Sequence, residues 1–371
     1  MKVLISGAGV AGPALAFWLN HAGFQVTLVE QADHLRSGGQ AVDIRGAALE
    51  VVERMGIGAK VAQARTRMKG MTVFDGNGTE IHRSTSMVLT SGRLDSGDIE
   101  LLREDLARIL YEHTRDKVEY VFADKIRAID EQPDGMHVRF ERSAPRVFDL
   151  IIGADGLHSN VRSLAFGPEE PYLTSLKMQI AIFSTDNFLG LDNWQIWLRD
   201  SQAGYGVYPV RNNRELRVTL GFGEGDIEQG PLDISSQKRR VAARLSHLGG
   251  ETPRLLEAMW HADDFYTEVA AQIQMPHWTK GRIALVGDAA YCASPLSGQG
   301  TSLALVGAFV LANELAKQPM NYREAFARYE ERMRPFVKQN QALATEKPGE
   351  PASAASIDAA KSAIELPAVF P

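Results

Sequence analysis

Apolar positions along this chain alternate between two periods. Val3-Leu4-Ile5 is a short apolar run of the kind that fills a strand buried on both faces. A helix-like stretch from Pro13 to Ala22 follows, and then a second run, Val26-Thr27-Leu28-Val29. Residues 1–30 therefore read as β-α-β. Residues 31–45 read as a glycine-containing loop around Gly38-Gly39, and 46–56 return to helical spacing through Ala48, Val51, Val52 and Met55. Met71–Phe74 and Thr79–His82 flank Asp75-Gly76-Asn77-Gly78, a strong hairpin signal. Ser96-Gly97-Asp98 then leads into an expected helix from Ile99 to His113. Short strands are predicted around 118–122, 125–130, 136–141 and 147–152, with Pro133-Asp134-Gly135 as a turn among them.

The pattern changes near residue 170. From Thr174 to about Phe222 it is strand-like and aromatic, through Trp194-Gln195-Ile196-Trp197, Tyr205–Pro209 and Leu216–Phe222. Helices are expected at 235–247 and 252–260, with a last strand at Val269–Ile273. Arg282–Val286 is again a buried-type strand that returns the chain to its first unit. Helices at about 299–317 and 321–341 follow. Glu346–Ser356 reads as a Pro/Ala/Gly/Ser linker, and Ile357–Leu366 as a short terminal helix.

A chain of 371 residues exceeds a typical single core, so two units are expected. Net charge is −6 and no strongly basic run stands out, which argues against a nucleic-acid partner. The single cysteine, Cys292, rules out an intramolecular disulfide and reads as a small buried residue. The nine histidines show no metal-ligand spacing, so no metal is expected. No apolar run approaches the ~20 residues that span a bilayer. The N-terminus already forms the first strand, which leaves no room for a cleavable signal, and a cytoplasmic location is expected.

The turn between the first strand and helix is Gly7-x-Gly9-x-x-Gly12, in Ser6-Gly7-Ala8-Gly9-Val10-Ala11-Gly12. Gly7 allows the tight turn, Gly9 lets a pyrophosphate approach the backbone, and Gly12 lets helix and strand pack closely. The helix N-terminus offers free N–H groups to the phosphates. Glu30 follows Gly12 by 18 residues, near the ~20 at which an acid meets the ribose diol. A second motif, Gly153-Ala154-Asp155-Gly156 with Ser159 and Arg162, ends a strand. A third, Gly287-Asp288-Ala289-Ala290 with Pro295 and Gly298-Gln299-Gly300, follows another and leads into a helix.

These three ordered motifs resemble the class A FAD-dependent monooxygenases, the para-hydroxybenzoate hydroxylase-like family. Within it, the compact length and the Gly38-Gly39-x-x-x-Asp43 segment look most like the tetracycline-inactivating and antibiotic or polyketide hydroxylases. The resemblance covers residues 1 to about 340. It implies an α/β fold: a Rossmann-like FAD-binding domain with an inserted β-sheet substrate domain and C-terminal helices. The expected partition is 1–70, 95–170 and 280–320 for the FAD-binding domain, 71–94 and 171–279 for the substrate domain, and 321–371 for the C-terminal helices and tail. Cofactor contacts carried over are Gly7, Gly9, Val10, Ala11, Gly12, Glu30, Gly39, Asp43, Arg103, Asp155, Asp288, Pro295, Gly298, Gln299 and Gly300. Arg103 matches the arginine of the FAD phosphate region. Asp155 resembles an aspartate that serves FAD and the pyridine nucleotide, its plainer reading being a helix cap. Three positions depart from the family pattern: Tyr291 where His is frequent, Ser302 where Asn is usual, and Gly307 in the region of a usual acid.

The resemblance implies reduction of FAD by NADPH or NADH as a transient co-substrate, then a flavin C4a-hydroperoxide that hydroxylates an electron-rich phenolic or enolic polycyclic compound, tetracycline- or polyketide-like. The chemistry is flavin-centred, so no catalytic side chain is expected, and the protein orients and shields. Gln195 and Trp197 share one face of their strand, and alignment with the family turns them and Arg217 toward the substrate; Arg45 is a further candidate. The partner is a small aromatic or polyketide molecule, without nucleic acid or membrane, and the chain is a monomer or homodimer. A halogenase or reductase of the same fold is an alternative, although Asn193–Leu198 does not match the halogenase Gly-Trp-x-Trp-x-Ile-Pro motif. A flavin-binding, drug-sequestering protein without turnover is another.

Overall fold

The computed structural model describes residues 1–223, 233–347 and 351–370. Its first layer is a six-stranded sheet. In spatial order it runs Thr279–Lys280, Ile283–Leu285, Leu150–Gly153, Lys2–Ser6, Gln25–Val29, Glu119–Val121, all parallel except the first pair. Val3, Leu4 and Ile5 at its centre are fully buried. Each contributes about 1.5–3 kcal/mol relative to an exposed side chain, which is why the apolar run forms here rather than at an edge. The helix Ala11–His21 packs on this sheet beside the long helix Gly300–Lys317, where Trp18 meets Phe309 edge to face at 4.9 Å. A three-stranded sheet, Ile126–Gln132, Gly135–Phe140 and Arg146–Phe148, adds Met136, Val138 and Phe148 to the same core.

The second layer is a seven-stranded sheet. Its order is Tyr266–Ile273, Leu173–Asp186, Glu215–Gly223, Ala203–Val210, Trp194–Arg199, Gly70–Asp75, Glu80–Ser84. The early hairpin at 70–84 thus completes a sheet built mostly from residues 173–273, through a parallel pairing of Gly70–Asp75 with Trp194–Arg199. Helices Ile234–Leu245 and Thr252–His261 share a second core with this sheet, in which Val241, Leu245, Leu255 and Met259 meet Phe183, Leu198 and Leu220. Among the described residues, no helix is long and apolar enough to cross a membrane.

Four local expectations are corrected. The loop expected over 31–45 contains the strand Ala41–Ile44, and the helix expected from Ile99 begins only at Arg103. Ile99–Leu102 instead pairs antiparallel with Ala41–Ile44, burying Leu101 and Leu102. A short apolar run reads equally as helix or strand, and here the pairing partner decides. The helix Gly58–Gln63 was not anticipated. The terminal helix spans Ala354–Lys361, starting inside the segment read as a linker, with Ser353 as its N-cap. Residues 348–350 of that segment lie outside the described residues.

The closest backbone approach in the first layer is at Gly12, where a Cβ would stand 1.9 Å from the Gly7 carbonyl oxygen. Gly12→Ala is therefore expected to destabilise the fold by at least the ~1–3 kcal/mol of an overpacked core, measured by denaturant unfolding. A wild-type midpoint in that variant contradicts the packing described.

Candidate functional site

The strands of the six-stranded sheet deliver their carboxyl ends to one crevice, where ligands bind in open parallel sheets. Strand Lys2–Ser6 ends at Gly7, whose φ of +107° and 2.5 Å spacing between a Cβ and the Ala154 oxygen both demand glycine. Gly9 has nothing within 4 Å of where a Cβ would be, so its backbone is open. Val10 caps the following helix without a side-chain hydrogen bond, leaving the first-turn N–H groups of Ala11 and its neighbours free for an anion. Strand Gln25–Val29 ends at Glu30, whose carboxylate accepts from Ala8 N at 2.8 Å and Ala32 N at 2.9 Å. Gly12 lies beneath this wall as packing, not on it.

Strand Leu150–Gly153 ends at Asp155. Its carboxylate accepts from Ser6 Oγ at 3.2 Å, Val161 N at 3.0 Å and the Ser159 hydroxyl, so it organises the start of helix Asn160–Phe166 while lining the crevice. The N-cap of that helix is Ser159, which accepts from Arg162 N at 3.0 Å, and burial raises the pKa of Asp155 beside it. Arg162 is fully buried and binds the Ala289 carbonyl at 2.9 Å and Glu169 at 2.8 Å, tying this motif to the next. Strand Ile283–Leu285 leads to Gly287 at φ +65° and Asp288. The Asp288 carboxylate is exposed to the crevice, and the protein walls around it push its pKa up to about 6. Cys292 below it is buried, with its thiol toward the Ala271 carbonyl. His158, unforeseen in the sequence, sits on the same wall between Glu169 at 2.8 Å and Glu268 at 3.3 Å. These two acids raise its pKa to about 9.

The loop before Ala41–Ile44 is clamped from two sides. Gly38 N donates to Glu104 at 2.8 Å, and Arg103 Nη2 donates to the Arg36 carbonyl at 3.1 Å; Gly39 passes so close that a Cβ would meet Arg103 Nε at 2.9 Å. From the second sheet, Arg217 Nε donates to the Gly39 carbonyl at 3.0 Å while its Nη2 pairs with Glu104 at 2.7 Å. Arg217 is buried and does not line the crevice, so its expected role toward a substrate is corrected to that of a loop clamp. Asp43 and Arg45 form a buried pair at 2.7 Å; Arg45 also donates to the Thr90 carbonyl at 3.1 Å, and its backbone N donates to Ser302 Oγ at 3.0 Å. Opposite stand Pro295, Gly298, Gln299 and Gly300, the entry to an uncapped helix.

Trp197 is the aromatic wall. It faces the crevice and lies over Gly206, where a Cβ would meet its ring at 2.4 Å. Its Nε1 donates to Gln195 Oε1 at 3.0 Å, and Gln195 Nε2 donates to Thr90 Oγ1 at 2.6 Å. Gln195 is fully buried and off the crevice wall, so it too is corrected, from a substrate contact to the residue that orients Trp197.

Of the cofactor and substrate residues expected from the sequence, all but Gly12, Gln195 and Arg217 border one continuous cavity of about 1890 Å³. A dinucleotide fits the residues present. The turn is open at Gly9, two uncapped helix starts face the space, and the amide of Gln299 is fully buried with both polar atoms unpartnered. Among the described residues, no cluster of metal-ligating side chains occurs.

Residues 1–344 match the family model described as FAD binding domain. An uncharacterized protein of Mycobacterium tuberculosis is 47% identical over 344 residues, covering 93% of this chain and 92% of that one. A flavin-dependent monooxygenase of Legionella longbeachae is 37% identical over 341 residues, covering 92% and 87%. The crystal structure of tetracycline destructase Tet(51) superposes with a TM-score of 0.88 at 34% identity, over 99% of each chain.

Asp288→Ala is expected to weaken FAD binding about ten- to a hundredfold, the equivalent of a charged hydrogen bond of ~1.5–3 kcal/mol, read by titrating flavin-free protein. Unchanged affinity contradicts the assignment of Asp288. The raised His158 pKa carries a pH signature. Its stabilisation is fully present below the ordinary value of 6.5 and is lost as pH rises through about 9. His158→Gln should therefore melt below wild type at acid pH and converge with it above that window; a constant gap contradicts the pairing.

Proposed function

The chain belongs to the FAD-binding-domain family and is an FAD-dependent monooxygenase of the class A type, and from that premise we propose that it hydroxylates a phenolic or enolic polycyclic compound of tetracycline or polyketide type, with NADPH or NADH as reductant. The observation that carries this reading is the single cavity. Ordinary small-molecule sites occupy roughly 300–1,000 Å³, and about 1890 Å³ leaves room for a planar substrate beside a dinucleotide. The likeness to a tetracycline destructase supports the substrate class.

When bound, FAD supplies the redox chemistry, accepting a hydride from the pyridine nucleotide and activating O2 so that one oxygen atom reaches the substrate and the other leaves as water. The chain's residues bind and orient. Gly7, Gly9 and the first turn of helix Ala11–His21 would cradle the phosphates, Glu30 would hold the adenosine ribose, and Asp288 would accept from hydroxyls on the flavin side. The Gly38–Asp43 segment and the Pro295–Gly300 loop would border the flavin ring. Trp197 presents an apolar face to a planar substrate, and Gln195 fixes the tilt of that ring through Thr90. Ile180 and Ile182 of the second sheet and Leu296 of the Pro295–Gly300 loop line the same cavity and keep water from the reacting atoms.

Tetracyclines and phenolic or enolic polyketides should stimulate NADPH oxidation and yield a product one oxygen atom heavier by mass spectrometry. Failure of every such compound to stimulate oxidation overturns the substrate class. Trp197→Ala should keep its FAD but raise KM about tenfold, equivalent to ~1.4 kcal/mol of lost stacking, with more hydrogen peroxide per NADPH. Loss of FAD and of thermal stability together would make Trp197 a core residue instead.

A further inference from the structure

The strands Ala41–Ile44 and Ile99–Leu102 run antiparallel with Asp43 directly opposite Glu100. Opposed residues on such a ladder share a face, with Cβ atoms about 4.5–5.5 Å apart. Both carboxyl groups are buried, with Asp43 6% and Glu100 4% exposed. One cation faces them from their own elements, Arg45, itself 5% exposed and 2.7 Å from Asp43 Oδ2. The other groups packed around them are already balanced. Asp98 is paired with Lys361 of the terminal helix at 3.0 Å, and Arg217 with Glu104 at 2.7 Å. The buried Tyr208 hydroxyl accepts from Ala41 N at 2.8 Å. Glu100 Oε1 accepts from Thr66 Oγ1 at 2.5 Å. Asp43 Oδ1 is buried without a partner, and the Thr90 hydroxyl also stands beside the Glu100 carboxyl.

We propose that Asp43 and Glu100 hold one proton between them, so that the Asp43–Arg45–Glu100 group is neutral, and that Glu100 is a positioning residue acting through Asp43 on the flavin edge of the cavity. Two carboxylates facing one guanidinium leave a net negative charge among buried groups, where an unpaired charge costs several kcal/mol. One retained proton cancels that charge and gives the orphaned Asp43 oxygen a hydrogen bond shared with Glu100. Burial accordingly pushes Asp43 up to about 8 and raises Glu100 as well. Asp43 lines the cavity, and the Arg45 guanidinium approaches to 3.6 Å from where a Gly298 Cβ would stand, so the group borders both loops assigned to the flavin ring. Negative charge gained at that ring on reduction meets a neutral wall while the proton is held, and a negative one once it is lost. The titration belongs to the pair rather than to either residue.

The role toward flavin rests on the FAD reading above; the proton itself does not, and the two are tested separately. On flavin-free protein, infrared spectroscopy at neutral pH should show a protonated carboxyl band that disappears in both Asp43→Asn and Glu100→Gln. In the latter, Asp43 faces Arg45 alone and ionises. On the FAD-loaded enzyme, the midpoint potential plotted against pH should show a break near the titration of the pair. Glu100→Gln should move that break to lower pH by a unit or more, and Asp43→Asn should abolish it. Both substitutions are close in shape to the carboxyls they replace, and melting temperatures verify that each variant folds; either alone decides the infrared arm. A band that survives both substitutions overturns the shared proton. A band lost as expected, with a break unmoved by Glu100→Gln, overturns the role of Glu100. Failure of FAD to bind wild type overturns the FAD reading and leaves the infrared result standing.

Discussion

The structure depends on one backbone contact. Helix Ala11–His21 can meet the turn after the first strand only because Gly12 has no side chain, with 1.9 Å between an imagined Cβ and the Gly7 carbonyl. Gly7 in turn fits against Ala154 only as glycine. These two absences draw the first and second motifs' strands to a single level, and Glu30, Asp155 and Asp288 open onto the same crevice as the helix N-terminus. The anion affinity of that terminus follows from the unsatisfied N–H groups of the first turn and the aligned peptide dipoles. No charged side chain has to be buried to create it.

Several polar ties that join the second layer to the first pass through the segment 38–45. Arg217 and Glu104 hold Gly38 and Gly39, Ser302 holds Arg45, and Thr90 links Arg45 to Gln195 and thence to Trp197. Arg211, from the turn after Ala203–Val210, adds pairs with Glu104 and Asp105 at 2.7 Å each. The cofactor face and the aromatic face of the cavity are therefore registered through hydrogen bonds that a volume-conserving change in either core leaves intact. Such a network is costly when half-satisfied, which makes its members poor sites for neutral substitution.

What could be read from the sequence divides along the same line. Gly7, Gly9, Gly12, Glu30 and Asp288 were legible because their roles are local: a turn, a helix start, a strand end. Gln195 and Arg217 were expected to face the substrate, but what each touches is decided by residues more than a hundred positions away, Thr90 and Glu104. The strand Ile99–Leu102 was hidden because only its pairing with Ala41–Ile44 distinguishes it from a helical turn. Two of the three departures from the family pattern explain one another. The Tyr291 hydroxyl sits 1.9 Å from where a Cβ at position 307 would lie, so Gly307 is the space that admits the larger ring, and Tyr329 receives it at 3.0 Å. Ser302, the third, ties strand Ala41–Ile44 to the long helix through Arg45 N and the Asp43 carbonyl. Glu100 carried no signal in the sequence, since an acid before two leucines reads as an ordinary helix charge.

The central claim is that one crevice, built on Gly7–Gly12 and closed by Gly298–Gly300, holds FAD without a covalent bond. Denaturing the purified protein and identifying what is released tests it most directly. The account predicts free FAD in a one-to-one ratio to chain, with none left attached to the polypeptide. Release of stoichiometric NAD in its place, or flavin that stays on the denatured chain, would contradict it.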